Sequence, residues 1–322
     1  LTKSGNNKPK APQIVPRADH NVSRDEISKS ALKVLYRLHK SGYQAFLVGG
    51  CVRDILLGLH PKDFDVATNA TPEEVRALFR NCRLIGRRFR LAHVRFGREV
   101  IEVATFRAAA VHEHDDSHHD EEGRILRDNV YGSIDEDVWR RDFTCNALYY
   151  NIADFSIWDY TGGVEDVAQR RLVLIGDPDK RMREDPVRML RAVRFAAKLD
   201  FRIDRTAEEA IGKDLPLIAN VPPARLFDEF LKLFETGHGL KAFELLRKYD
   251  LFGQLFPATG QEIEADPPFL DFVRAALRNT DARVKSGKSV TPMFLLGVFL
   301  WAPTQRLAAQ RRAEEKMSES QS

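Results

Sequence analysis

Phe46-Leu47-Val48-Gly49-Gly50-Cys51-Val52-Arg53-Asp54, with Lys62-Asp63-Phe64-Asp65-Val66 beginning nine positions after Arg53, is the stretch from which the rest of the chain can be read. Gln44 to Val48 is an apolar run that breaks into a Gly-Gly turn, and Asp54 to Gly58 has the pattern of a short helix. The order is strand, glycine turn, helix. Phe64 to Thr68 is strand-like again. Side chains alternate along a strand, so Asp63 and Asp65 are expected on one face while Phe64 and Val66 point to a core. Two carboxylates aimed at one point repel, and one resists ionisation unless a cation lies between them; hard oxygen ligands favour Mg²⁺. Such a cation would bridge triphosphate oxygens and acidify an attacking hydroxyl. Glycines after a strand let backbone N–H groups approach phosphate oxygens, the following helix N-terminus adds partial positive charge, and Arg53 offers a bidentate donor. Glu102, flanked by Ile101 and Val103 in a predicted strand over Val100 to Phe106, is a candidate third carboxylate. An isolated D-x-D reads as a solvated strand edge, and an isolated Gly-Gly as a tight turn. Their juxtaposition points to a phosphate-handling site.

Outward from this stretch the patterns fall into two kinds. Ser23 with Glu26 forms a capping box, Ile27, Ala31, Val34, Leu35 and Leu38 keep helical spacing, and Gly42 stops the run, which predicts a first helix. Thr71-Pro72-Glu73-Glu74 caps a helix to about Arg80. Leu91 to Phe96 and Val100 to Phe106 flank Gly97 as a hairpin. Residues 1–22, rich in Lys, Pro, Asn and Gly, suit a flexible basic arm. Ala108 to Gly123 lacks periodicity and reads as a mobile loop. From Asp185 onward helical segments dominate, among them Pro186 to Leu199, Ala224 to Glu235 and Leu240 to Tyr249. The expected fold is an α/β (α+β) head followed by an all-α remainder.

At 322 residues and 43% hydrophobic content, the chain can bury one substantial core or several small ones. Its net charge of +3 conceals a concentration of arginine, since Arg76 to Arg98 holds eight arginines and no acid. Mutual repulsion among them calls for an anion, which makes a polyanion partner the expectation. Arg83, Arg87, Arg88 and Arg90 are the candidates for contact with that polyanion, which is RNA if the family resemblance given below holds. Cys51, Cys82 and Cys145 lack metal-ligand spacing and read as reduced thiols of a cytoplasmic protein. No membrane span or signal peptide is expected. Two motifs are set aside. Ser286-Gly287-Lys288-Ser289 has the ending of a P-loop, but Ala282 stands where a glycine is required and no strand precedes it. His112, His114, His118 and His119 lie in an acidic stretch without structural flanks and read as incidental loop composition.

GGCVRD at 49–54 followed by KDFDVATNA at 62–70 resembles the signature of the class II nucleotidyltransferases, relatives of the polymerase β superfamily that include CCA-adding tRNA enzymes and bacterial poly(A) polymerases. Further matches follow in order: Arg140-Arg141-Asp142-Phe143-Thr144, Asp159-Tyr160-Thr161-Gly162-Gly163, Glu184-Asp185-Pro186-Val187-Arg188 and Pro223-Ala224-Arg225-Leu226-Phe227-Asp228-Glu229. The likeness covers roughly residues 23–300. It implies a polymerase-β-like head (palm) over 23–160, a helical neck with base selection over 161–222 and a helical body over 223–322, truncated at its C-terminus. Asp63 and Asp65 would hold two Mg²⁺ ions, with Asp142 also counted as catalytic. Gly49, Gly50 and Arg53 would cradle the triphosphate, Arg141 would line its ribose and phosphate side, and Gly162-Gly163 would be a flexible joint. Asp185 and Arg188, three apart on a helix, would read the adenine edge; a carboxylate accepts from N6 while an arginine donates to ring nitrogens. Leu84 to Val94 and the lead-in Ile14-Val15-Pro16-Arg17 resemble the poly(A) polymerase branch. The implied activity is addition of AMP from ATP to RNA 3′ ends with release of pyrophosphate, promoting RNA decay. The alternatives are a CCA-adding tRNA nucleotidyltransferase and an RNA-binding protein with an inactive site.

Overall fold

Ala45-Phe46-Leu47-Val48 is buried at every position. A strand buried on both faces needs neighbours along its edges and a layer against each face. The computed structural model, which describes residues 11–86, 90–108 and 130–321, supplies both. Eight strands form one mixed sheet: β1 (Gln13–Val15), β2 (Ala45–Val48), β3 (Asp65–Thr68), β4 (Cys82–Ile85), β5 (Leu91–Phe96), β6 (Glu99–Thr105), β7 (Leu148–Asn151) and β8 (Ile157–Asp159). Their order is β1-β8-β7-β2-β3-β6-β5-β4. In this sheet β3 and β6 pair in parallel, and the other neighbours pair antiparallel. Around the sheet run α1 (Lys29–Lys40), α2 (Gly50–Leu56), α3 (Pro72–Leu78), α4 (Ile134–Arg140) and α5 (Gly163–Ala168).

The two faces of the sheet are treated differently. On one, Phe46, Val48, Ala67 and Tyr149 pack with Phe106, Tyr160 and the α4 residues Ile134 and Val138. On the other, α1 lays its buried Ala31, Val34, Leu35 and Leu38 over β2, β3 and β6, and α3 packs over β4 to β6. Each large apolar side chain fully withdrawn from water in these layers contributes about 1.5–3 kcal/mol.

The chain divides into two compact units, Leu1–Ile175 and Gly176–Ser322. The second is built from helices: α6 (Pro178–Glu184), α7 (Val187–Leu199), α8 (Arg205–Asp214), α9 (Pro223–Phe234), α10 (Gly239–Lys248), α11 (Leu251–Leu255), α12 (Pro257–Ala265), α13 (Pro267–Lys285) and α14 (Pro292–Gln321). Its core is aromatic. The Phe299 ring lies 5.2 Å from those of Phe234 and Phe256 and 5.4 Å from that of Phe252. Glu229, 4% exposed, is held by Arg194 at 3.0 Å and Lys232 at 3.2 Å.

Several expectations shift in detail. The Ser23–Glu26 capping box is present but heads a single 3-10 turn, and α1 starts only after Ser28, whose hydroxyl accepts from Ala31 N. The flexible arm does not extend to Gln13–Val15, which pairs antiparallel with β8, because an open sheet edge offers its backbone groups to any extended segment. Ser286 to Ser289 is a turn and loop, as expected. Past Ala108, the histidine-rich stretch lies outside the described residues.

Candidate active site

The glycine turn joins β2 to α2. Gly49 has φ +80°, a conformation that side-chain-bearing residues rarely adopt, and it sets the first turn of α2 directly against the strand end. A side chain at Gly49 would point toward Asn146 O at 3.6 Å and Arg141 Nη1 at 3.7 Å. The turn is thus enclosed by the segment that follows α4. Backbone N–H groups in the first turn of a helix have no partner within it.

The carboxylates occupy the next strand. Exposure alternates from Asp63 to Val66, with Asp63 and Asp65 open and Phe64 and Val66 buried, as the D-x-D pattern requires. β3 begins only at Asp65, so Asp63 stands on the approach to the strand. Asp65 is in register with Val48 on one side and Glu102 on the other; Glu102 is paired in turn with His93, and His93 with Arg83. Register partners share a face. One row across the sheet therefore runs from the buried Tyr149 and Val48 to the accessible Asp65, Glu102, His93 and Arg83. Although Asp65 keeps contact with solvent, protein atoms crowd its carboxylate. That desolvation pushes it up to about 6, the charges of Glu102 and Asp63 adding to the rise while Arg141 opposes it. Glu102 also lies 3.4 Å from His93 Nε2. Cys51 is buried next to Asp65 and its thiol is pushed up to about 12, so it stays protonated.

A cation fits this arrangement. Crowding of the Asp65 carboxylate, with the charges of Glu102 and Asp63 adding to it, disfavours its ionised form, and a bound cation would offset that cost. Among the described residues no group of three or more His, Cys, Asp or Glu side chains is arranged to hold a metal ion by itself. Mg²⁺ does not need one, since it commonly takes one or two carboxylates and completes its octahedron with phosphate oxygens and water.

The arginines are more constrained than the sequence suggested. Arg53, expected to face the triphosphate, is 2% exposed. Its Nε and Nη2 donate to Asp54 Oδ1 at 2.9 and 2.6 Å, and its Nη1 donates to Asn146 Oδ1. A buried guanidinium must satisfy its donors, so Arg53 braces the turn from behind rather than presenting an open fork. Asn146 Nδ2 in turn donates to Asp142 Oδ1 at 3.3 Å, which also accepts from Phe143 N at 2.8 Å. Arg53, Asn146 and Asp142 form one chain of hydrogen bonds beneath the glycines. Arg141 donates through Nε to Tyr149 Oη at 2.8 Å and through Nη2 to Asp137 Oδ2 at 3.1 Å, and its Nη1 reaches the Gly49 side of the site.

The expected flexible joint at Gly162-Gly163 is instead tightly held. Asp159, 3% exposed, accepts from Thr161, Gly162 and Gly163 N through Oδ1 and from Val164 N through Oδ2, all within 3.0 Å. A Cβ at Gly163 would stand 2.2 Å from Thr144 O. Glycine is needed there for close backbone approach, not for motion.

In the helical unit, Asp185 and Arg188 do not share a continuous helix. Pro186 cannot continue α6, and Asp185 caps that helix in an extended conformation before α7 begins at Val187. Asp185 Oδ2 accepts from Arg225 Nη2 at 2.9 Å, while Arg188 Nη1 donates to Arg181 O at 2.6 Å. Asp185 Oδ1 is buried and, among the described residues, has no hydrogen-bond partner. An unsatisfied carboxylate oxygen of this kind is a ready acceptor for an amine.

Two family models match the chain. Residues 45–173 match the poly(A) polymerase head domain, and residues 200–262 match a probable RNA- and SrmB-binding site of polymerase A. Poly(A) polymerase I of Escherichia coli O6:H1 is 52% identical over 307 residues, covering 94% of this chain and 66% of that protein. The chain belongs to the poly(A) polymerase family. It spans just under two thirds of the length of these curated relatives. CCA-adding enzymes are related members, with that of Bacillus velezensis 37% identical over 72% of this chain and 57% of its own length. The crystal structure of Bacillus stearothermophilus CCA-adding enzyme in complex with CTP superimposes with a TM-score of 0.56 at 36% identity, covering 67% of this chain and 50% of that one. The polymerase-β-like head and helical continuation expected from the sequence are therefore those of the poly(A) polymerase family.

Within this poly(A) polymerase head, Asn146, Asp137, Tyr149 and His93 join the site without having been foreseen. Asn146 lies four residues after Asp142, and Asp137 four before Arg141, spacings that could have been noticed. Tyr149 and His93 are placed by strand register alone. Of the arginine candidates, Arg83 lies on the edge strand β4, and Arg90 is paired with Glu73 at 2.5 Å. Arg87 and Arg88 lie outside the described residues.

Proposed function

We propose that the chain is a template-independent adenylyltransferase that adds AMP from ATP to RNA 3′ ends and releases pyrophosphate. The observation that carries this reading is the pairing of Asp65 with Val48, the residue that precedes the enclosed Gly49-Gly50 turn. Crowding and the nearby carboxylates disfavour the ionised form of Asp65, a cost that a bound cation would offset. Identity of 52% to a poly(A) polymerase against 37% to a CCA-adding enzyme supports ATP as the sole nucleotide.

In this reading Asp63 and Asp65 hold two Mg²⁺ ions, with Glu102 beside them. Bound there, Mg²⁺ supplies charge neutralisation of the triphosphate and acidifies the RNA 3′-hydroxyl. The N–H groups at the start of α2 receive phosphate oxygens, and the Arg53–Asn146–Asp142 chain fixes the backbone that presents them. Arg141 is held by Asp137 and Tyr149, so it meets the nucleotide without first losing side-chain freedom. Asp185 Oδ1 accepts from the adenine amine, and a base without an amine there leaves this oxygen desolvated and unpaired. Arg188 supports the ring nitrogens, and Arg83, Arg87, Arg88 and Arg90 supply phosphate contacts along the RNA. Among the described residues no helix is long and apolar enough to cross a membrane. We infer a cytoplasmic role in which single-stranded 3′ tails promote RNA decay.

The test offers the chain a short unstructured RNA with Mg²⁺ and each of the four NTPs separately, and in parallel a tRNA lacking its terminal CCA. Long tails from ATP alone are expected. Asp63→Ala should reduce incorporation by about 10³-fold, the loss of several kcal/mol of charge stabilisation. Addition of two C residues and one A confined to the tRNA would replace this reading with CCA addition. No incorporation from any nucleotide, with RNA still bound, would replace it with an inactive RNA-binding protein.

A further inference from the structure

α1 lies on the face of the sheet opposite to Asp65, and its outward side is built from cations. Lys29, Lys33, Arg37 and Lys40 are all exposed and fall on one stripe at intervals of four, four and three residues. The helix contains no acid. Elsewhere on the described surface arginines are commonly neutralised, as Arg205 is by Glu209, Arg247 by Glu264 and Arg306 by Glu262. None of the four α1 cations has an ion pair among the described residues. Two rest on aromatic faces instead, with Lys33 Nζ 6.0 Å from the Phe96 ring centre and the Arg37 guanidinium carbon 5.3 Å from that of Phe79. These rings orient the side chains without cancelling their charge. Half-buried Leu32 and Tyr36 lie between the cations, and all six residues line one shallow surface groove. The Tyr36 hydroxyl accepts from Arg24 Nη1 at 2.9 Å, which adds a fifth cation at its rim.

We propose that this groove is a second RNA-binding surface that holds the phosphodiester backbone of the RNA body, behind the sheet that carries the active site. The proposal rests on the reading of the head as an RNA nucleotidyltransferase only in its choice of RNA as the polyanion. Cations one helical turn apart, spread over about 16 Å at 1.5 Å per residue, match a ligand whose charges recur at regular intervals. An aromatic ring set among them matches a single strand, whose bases stack on such platforms. A membrane surface would favour protruding large apolar side chains, whereas Leu32 and Tyr36 are half-buried. RNA held here would keep a transcript attached while its 3′ end is released and re-engaged between additions.

The experiment measures binding of a 20-nucleotide RNA with a blocked 3′ end, without nucleotide or Mg²⁺, over a range of salt concentrations. The wild-type chain is compared with K29Q/K33Q/R37Q/K40Q. Affinity should fall at least tenfold at low salt. The slope of log affinity against log salt should flatten by about 2–3, at roughly 0.7 for each single-strand phosphate that the variant no longer neutralises. K29R/K33R/K40R, which keeps every charge, should bind like wild type. AMP addition to a trinucleotide primer, too short to reach α1, should be equal in all three proteins. Unchanged affinity and slope in the glutamine variant would overturn the proposal. So would loss of binding to phosphatidylglycerol vesicles with RNA binding intact, which would assign the groove to lipid. Failure of every protein to extend the trinucleotide, with the salt slope still altered, would count against the proposed enzymatic reading and leave the RNA surface standing.

Discussion

Asp65 shows what crowding and neighbouring charge do to a single carboxylate. Desolvation and the neighbouring Glu102 and Asp63 raise its pKa from 3.8 to about 6. The sign of the consequence follows from proton counting. Between these values the folded chain holds a proton that the unfolded chain has released, so stability declines as pH rises through that window. Above about pH 6 the full penalty applies; below about pH 4 it is absent. Asp65→Asn should therefore raise the Tm of the metal-free protein at pH 8 and leave it unchanged at pH 3.5. The gain should be roughly 1 kcal/mol, since the exposure of Asp65 reduces what a two-unit shift would otherwise imply. Thermal melts of both proteins at the two pH values check this. Adding Mg²⁺ at pH 8 should narrow the difference by stabilising the wild type alone.

At the scale of elements, the site is held by short segments fastened to one another rather than by long helices. α2 has seven residues and α5 six. Neither length would be stable in isolation. Asp159 supplies what α5 lacks by accepting four backbone N–H groups from inside the fold. Asp159→Ala should cost about 2–4 kcal/mol, because it strands several buried donors at once. Urea unfolding gives the value, and hydrogen exchange should show the loss of protection concentrated at Thr161 to Val164. If the glycines were a hinge instead, the variant would lose little stability and exchange there would already be fast in the wild type.

At the scale of the molecule, the two units reach stability by different means. The head depends on one sheet with apolar layers on both faces. The helical unit depends on a knot of phenylalanines centred on Phe299, which brings together rings from α9, α10, α11 and α14 with Phe256. Phe299→Ala leaves a cavity lined by those rings and should destabilise by about 3–5 kcal/mol. The loss should appear in denaturant unfolding followed by far-UV circular dichroism. Phe299→Leu should recover more than half of it, since the volume is largely restored.

The amino-acid sequence by itself determined what depends on local pattern. Alternation around Asp63 and Asp65, the glycines after Phe46 to Val48, the Thr71 cap and the helical spacing from Asp185 onward are short-range signals. Each reflects a steric or hydrogen-bonding preference that operates within a few residues. The α/β head, its helical continuation and the candidate carboxylate pair followed from them, while the polymerase-β-like character came from the motif resemblance. Other assignments depended on what stands opposite a residue, and only the tertiary structure decided those. Arg53 turned inward because Asn146, ninety-three positions later, met it beneath the turn. Gly162-Gly163 became a fixed corner because Asp159 and the Thr144 carbonyl closed around it. Asp185 paired with Arg225, forty positions away, rather than with the nearby Arg188. His93 and Glu102 were aligned with Asp65 by strand register alone. The α1 stripe gained meaning only once its other side was seen buried against the sheet. The physical reason is common to all of these: a charged or conformationally free residue is committed by its long-range neighbours, and the chain brings those together only when it folds.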